Sequence, residues 1–90
     1  AGIKLNPEEI ENYLSSFFVT PFVVSSILDK EFGEKVVIVF EKETPNNIYS
    51  ALNSLQKYER PKKVFVISSF IKNNGKIDRN YIKNKISKLI

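Results

Sequence analysis

One stretch limits this 90-residue chain more than any other: "VVIVF", Val36 to Phe40, inside the longer run "KVVIVFE". β-Branched and aromatic residues favour extended backbone, where a branched Cβ packs against its neighbours. A strand wetted on one side alternates apolar with polar residues. This run does not, so it predicts a central strand covered on both faces. A domain of this size buries only roughly 60–65% of its extended-chain surface. That leaves room for a small sheet with helices packed on it, and not for a deep, enclosed active site.

The other elements follow from their own signals. "PFVVSSIL" is a second β-branched run, and Pro21, which has no N–H, bars it from starting earlier as a paired strand. "DKEFGE" joins the two runs, and Gly33 among charged residues reads as a hairpin connection. After "YERPKK", "VFVIS" reads as a third core strand. "NPEEIENYLSSFF" opens with a helix signal: Asn6 caps, Pro7 suits the first helical position, and Glu9 stands in the capping-box position. Glu8 and Glu9 complement the positive end of the helix dipole. Ile10, Leu14, Phe17 and Phe18 recur at i, i+4, i+7 and i+8, predicting a helix over 7–18 with Tyr13 at the flank of its stripe. "TPNN" breaks the chain, and Ile48, Ala51, Leu52 and Leu55 predict a second helix. "DRNYIKNKISKLI" predicts a third, capped by Asp78, with Ile82, Ile86 and Leu89 or Ile90 inward and Lys83, Lys85 and Lys88 outward. The expected fold is α+β, a small central sheet of about three strands flanked by helices, in the order α-β-β-α-β-loop-α. It forms a single domain spanning residues 1–90.

Several chemistries drop out. Without Cys there is no disulfide framework, thiolate nucleophile or Cys-based zinc site, and without His the commonest general base and metal ligand are gone. The Cys-free composition fits a cytosolic setting, so a cytoplasmic location is expected. No apolar run approaches the ~18 residues needed to span a bilayer, and no signal-peptide pattern opens the chain. Fourteen Lys and Arg against ten Asp and Glu give a formal charge of +4, which favours anionic partners. No run reaches the five or six like charges of a nucleic-acid-binding tail. The sequence contains no Met, and the chain is expected to be a piece of a longer polypeptide.

"NNGK", Asn73 to Lys76, is the one turn that suggests chemistry. A glycine lets backbone turn sharply or approach a partner closely, and a lysine behind it offers a charge to phosphate. It is not a Walker A loop, which needs an earlier glycine and a Ser or Thr after the lysine; Ile77 follows here. A Gly-Lys pair alone is most often a solvated turn. The lysines of the last helix are most simply a solvated face, and no aromatic pair is spaced for base stacking. Capping and solubility account for Glu8, Glu9 and Glu11 on the exposed side of the first helix, with no acid–base role. Phe17, Phe18 and Phe22 are most simply core.

Three stretches together carry a resemblance: "GIKLNPEEIE", "GEKVVIVFE" and "YERPKKVFVISSFIKNNGKIDR", in that order and spacing. They resemble the C-terminal domain of the adenylate-forming enzymes, which include acyl-CoA synthetases, luciferases and peptide-synthetase adenylation domains. The likeness covers essentially the whole chain. It implies a lid domain that rotates between two half-reactions, adenylation of a carboxylic acid with ATP and then displacement of AMP by a thiol, here CoA. The N-terminal domain of the same polypeptide would hold ATP, its Mg and the acyl group, so the chain alone is expected to be inactive and to hold no metal. By this resemblance Lys76 is the catalytic lysine of adenylation, and Gly75 lets the loop tip enter a crowded site. Arg79 matches an arginine that follows the lysine, with anchoring of the last helix as its alternative role. Gly2 matches the glycine lining the pantetheine tunnel, and Lys4 a polar position some members place near the adenylate phosphate or the incoming thioester. Phe70 and Lys72 stand where the family has a proline and a threonine, a departure in loop rigidity and substrate contacts. The family's hinge residue lies just upstream of Ala1. The short connection between "VVIVFE" and "YERPKK" looks most like the o-succinylbenzoate–CoA ligases of menaquinone synthesis. The rival expectation is a small standalone basic module binding nucleic acid or another polyanion, whose affinity would fall steeply with salt. The lid reading expects no nucleic-acid partner.

Overall fold

The computed structural model describes residues 6–31 and 33–89. Three strands, β1 (Phe22–Asp29), β2 (Gly33–Glu41) and β3 (Lys63–Ile67), form a sheet in the order β1-β2-β3. β1 and β2 pair antiparallel, with Phe22 opposite Phe40 and Asp29 opposite Gly33. β2 and β3 run parallel, with Ile38 opposite Val64 and Glu41 opposite Ile67. A parallel pair needs a crossover. Residues 42–62 supply it, through a short helix and a single 3-10 turn at Lys57–Glu59.

β2 lies in the middle, which is why "VVIVF" is apolar on both faces. Val36, Ile38 and Phe40 point into one core layer and Val37 and Val39 into the other, and none is more than 2% exposed. Helix α1 (Pro7–Leu14) and helix α2 (Ile48–Asn53) cover the first face. There Ile10, Leu14, Phe18, Ile48, Ala51, Leu52 and Leu55 meet Val24 and β2. Helix α3 (Arg79–Ser87) covers the second face, where Ile82 and Ile86 meet Val23, Ile27, Ile67 and Phe70. Each buried aliphatic side chain contributes about 1.5–3 kcal/mol relative to exposure.

Four details depart from the sequence reading. Helix α1 stops at Leu14, not residue 18. The Ser15 hydroxyl donates to the Asn12 carbonyl at 2.7 Å, and the Phe17 N–H takes the Leu14 carbonyl in a tighter turn. The turn swings Phe18 into the core, edge-on to Phe22 and Phe40 at 5.2 Å, and leaves Phe17 at the surface beside Tyr13. β3 is an edge strand, and the helices cover only one of its faces well. Phe65 and Ile67 turn toward α3, while Val64 and Val66 stay 40% and 42% exposed. The buried stripe of α3 ends at Ile86; Leu89 lies in solvent, and Ile90 falls outside the described residues. Finally, the segment before α3 contains a small hairpin, β4 (Lys72–Asn73) and β5 (Lys76–Ile77). Among the described residues, no helix is long and apolar enough to cross a membrane.

Candidate functional site

The hairpin is built by its own sequence. Asn73 pairs with Lys76, leaving Asn74 and Gly75 as a two-residue turn with φ of 52° and 80°. Both values are left-handed, as a type I′ turn requires, and Asn-Gly is the dipeptide that adopts it at least cost. Cross-strand partners share a face and alternate along the strand. Ile77 packs against the α3-side core, so its neighbour Lys76 belongs to the outward face, where it is exposed.

Two anchors hold the hairpin. Downstream, the Asp78 N–H donates to the Ile71 carbonyl at 2.8 Å. One oxygen of the Asp78 carboxylate accepts from the Tyr81 N–H at 3.0 Å, capping α3, and the other from Asn73 Nδ2 at 2.9 Å. The group that starts the helix thus also fastens the hairpin. Upstream, Phe70 is buried in the α3-side core, and its N–H donates to Glu41 Oε2 at 2.7 Å. Between these anchors and the start of α3 lies an open cleft of about 710 Å³, edged by Lys72, Lys76 and Arg79 with the amides of Asn73 and Asn80. Asp78 lines the same cleft, and its carboxylate is already engaged by the Tyr81 N–H and Asn73, so the lysines set the charge offered to an anion.

Arg79, at the first position of α3, does not face that cleft as a free charge. Its Nη1 and Nη2 donate to Glu11 Oε1 and Oε2 at 3.1 and 2.6 Å, a two-point contact between α3 and α1. Glu11 Oε1 also accepts the Val24 N–H at 2.9 Å. The hydrogen bond to Glu11 raises the Arg79 pKa above its ordinary value; partial burial opposes this, and the charges of Glu11 and Glu8 add to it. The guanidinium therefore stays charged throughout the working range of any protein.

The structure thus brings Gly75, Lys76 and Arg79 into one loop and helix start. Gly2 and Lys4 lie outside the described residues. Glu11 is the residue that sequence reasoning passed over: it is not a solvated helix carboxylate but only 18% exposed, ligated by three N–H groups. Its signal was its place beside the Ile10–Leu14 stripe, at the edge where α1 meets the sheet. The lysines of α3 are exposed as expected, with Lys85 Nζ 5.8 Å from the Tyr81 ring centroid. Among the described residues, no group of three or more acidic side chains could hold a metal ion.

No family model matches the sequence, and no curated protein matches it. Solved structures do. An acyl-CoA synthetase (AMP-forming)/AMP-acid ligase II-like protein from Dyadobacter fermentans superposes with a TM-score of 0.80 at 22% identity, over 94% of this chain and 27% of its own. A fatty acyl-CoA synthetase from Mycobacterium tuberculosis gives 0.78 at 22% identity, over 98% of this chain and 19% of its own. o-Succinylbenzoate–CoA synthetase from Bacillus subtilis, bound to a product analogue, gives 0.70 at 29% identity, over 89% and 18%. The fold is therefore that of one part of these acyl-CoA synthetases, and the chain spans about a fifth to a quarter of their length.

Proposed function

We propose that the chain is the C-terminal lid domain of an AMP-forming carboxylic acid–CoA ligase, working against an N-terminal domain of the same polypeptide. In the first half-reaction a carboxylate oxygen attacks the α-phosphorus of ATP. The new P–O bond forms as the bridge to the β-phosphate breaks, and pyrophosphate leaves with the electron pair. In the second, the CoA sulfur attacks the acyl carbonyl and AMP departs, while the thiol proton passes to solvent or a base.

The observation that carries this reading is Lys76, exposed beside an Asn-Gly turn and braced on both sides by Asp78 and Glu41. A compact ammonium at such a tip can meet two anions at once, the acid and the polyphosphate, and offset charge growing on the bridging oxygen. Gly75, without a side chain, keeps the tip narrow. Arg79 acts through its anchoring of α3, and Gly2 and Lys4 would border the pantetheine path after the lid turns. Magnesium, if the reaction uses it, would be held by phosphate oxygens and by residues of the N-terminal domain. The chain alone would then be inactive, and the enzyme cytoplasmic. o-Succinylbenzoate is the acid we favour, supported by the 29% identity to the Bacillus subtilis enzyme and by the short connection after β2.

The test is ATP–pyrophosphate exchange by the full polypeptide that carries this chain. Lys76→Ala should lower exchange roughly 10²–10³-fold, as removal of a positioned charge does elsewhere. Thioester formation from a preformed acyl adenylate should survive. Equal loss of both half-reactions would remove the role assigned to Lys76.

A further inference from the structure

We infer that Glu11 is a positioning residue for the Lys76 loop, acting through Arg79; the inference rests on the ligase reading and deepens it. The Glu11 carboxylate sits where three elements meet. It belongs to α1, accepts an N–H from Val24 in β1, and binds both terminal nitrogens of Arg79 in α3, 68 positions away. A glutamate serving solubility would not be 18% exposed with three donors on it.

The path from this carboxylate to Lys76 is short. Arg79 is the first residue of α3, and Asp78 beside it holds the Tyr81 N–H and Asn73 Nδ2. The Asp78 N–H in turn holds the Ile71 carbonyl, at the base of the hairpin that carries Lys76. A shift at the start of α3 therefore moves both the cap and the hairpin base. Glu11 also decides which cations the cleft offers. With Arg79 paired to Glu11, Lys76 and Lys72 are left to receive an anion. Without Glu11, the guanidinium becomes a third, misplaced cation at the cleft edge. Losing Glu11 should thus lower turnover without weakening ATP binding, a split that a simple loss of folded protein does not produce.

The experiment compares wild type, Glu11→Gln, Arg79→Lys and Lys76→Ala in the full polypeptide, measuring the two half-reactions separately. Glu11→Gln keeps an oxygen for the Val24 N–H and removes the charge. It should lower the kcat of adenylation roughly ten- to a hundredfold, the scale of a misplacement of about 1 Å or less. KM for ATP should stay level or fall, and thioester formation from preformed adenylate should hold within about twofold. Arg79→Lys, which keeps the charge and loses the two-point contact, should fall the same way by less. Equal loss in both half-reactions, or no loss in either, overturns the positioning role. If Lys76→Ala leaves adenylation intact, the ligase reading itself fails. The coupling is then judged by amide exchange in the 90-residue chain. Glu11→Gln should speed exchange of the Asp78 N–H and leave that of Ile38 unchanged; unchanged exchange at Asp78 overturns it.

Discussion

Gly33 and Gly75 are a natural matched pair, and replacing each by alanine separates backbone strain from everything else. Their φ angles are 81° and 80°, and a Cβ added at either meets nothing within 4 Å. The left-handed conformation costs an L-residue about 1–2 kcal/mol. Alanine also stiffens the unfolded chain, returning about 0.4–1 kcal/mol. The net cost at each site is therefore roughly 1 kcal/mol. What differs is where it is felt. Gly33 leads into β2, whose pairing with β1 must form for the domain to exist, so Gly33→Ala should lower the midpoint of thermal unfolding by about 4–8 °C. Gly75 lies in a hairpin with two residues on each side, which can open without the rest. Gly75→Ala should move the thermal midpoint less and instead raise amide exchange at Asp78 roughly fivefold, the equivalent of ~1 kcal/mol. Under the ligase reading, Gly75→Ala should slow adenylation by the full polypeptide and Gly33→Ala should not. Circular dichroism melts, exchange measured by NMR and pyrophosphate exchange give the three readings. A Gly75→Ala protein with unchanged Asp78 exchange and full adenylation would refute the claim that the left-handed turn holds Lys76 in place.

Two further outcomes are expected. Asp78→Ala should cost about 1–2 kcal/mol in urea denaturation, because it removes the cap of α3, and Asp78→Asn should recover most of that, since asparagine caps comparably; equal losses would show that the cap contributes little. Under the ligase reading, Gly2→Leu should slow thioester formation from preformed adenylate more than it slows pyrophosphate exchange, and the reverse order would displace Gly2 from the pantetheine path.

The fold was legible where one physical cause dominated. Burial on both faces wrote itself into Val36–Phe40, and the caps at Asn6 and Asp78 bond as their side chains foretell, Asn6 Oδ1 accepting from the Glu8 and Glu9 N–H groups. It was not legible where two causes compete over a few residues. Ser15 and Ser16 draw on helix carbonyls and end α1 early, a balance that the apolar spacing of Phe17 and Phe18 does not register. Val64 and Val66 read as core because composition reports β-propensity, not which face of a strand the helices reach. The site divides in the same way. Asn74-Gly75 is a local hairpin signal, present in the sequence but read only as a turn. Glu11 and Arg79 meet across 68 positions, and no local pattern encodes that contact.

The same division explains how the loop is held without the proline of the family it resembles. Proline stiffens a segment by fixing φ and by lacking an N–H. Phe70 has an N–H, and the chain uses it: the Glu41 carboxylate accepts it at 2.7 Å, a charge-assisted bond, while the ring fills the α3-side core. Glu41 ends the central strand. The next residue, Lys42, takes a left-handed φ of 72° and donates its N–H to the Ile67 carbonyl at 2.7 Å, tying the end of β2 to the end of β3. A lysine in that conformation is strained, and it is held there by bonds on both sides. Lys76 is thus braced from β2 through Glu41 and Phe70, and from α1 through Glu11 and Arg79. Only the Asn74–Lys76 tip projects beyond these anchors. Under the ligase reading, a lysine whose hairpin base is tied to its own domain reaches a substrate when the domain moves as a body, as a lid that turns between two half-reactions would.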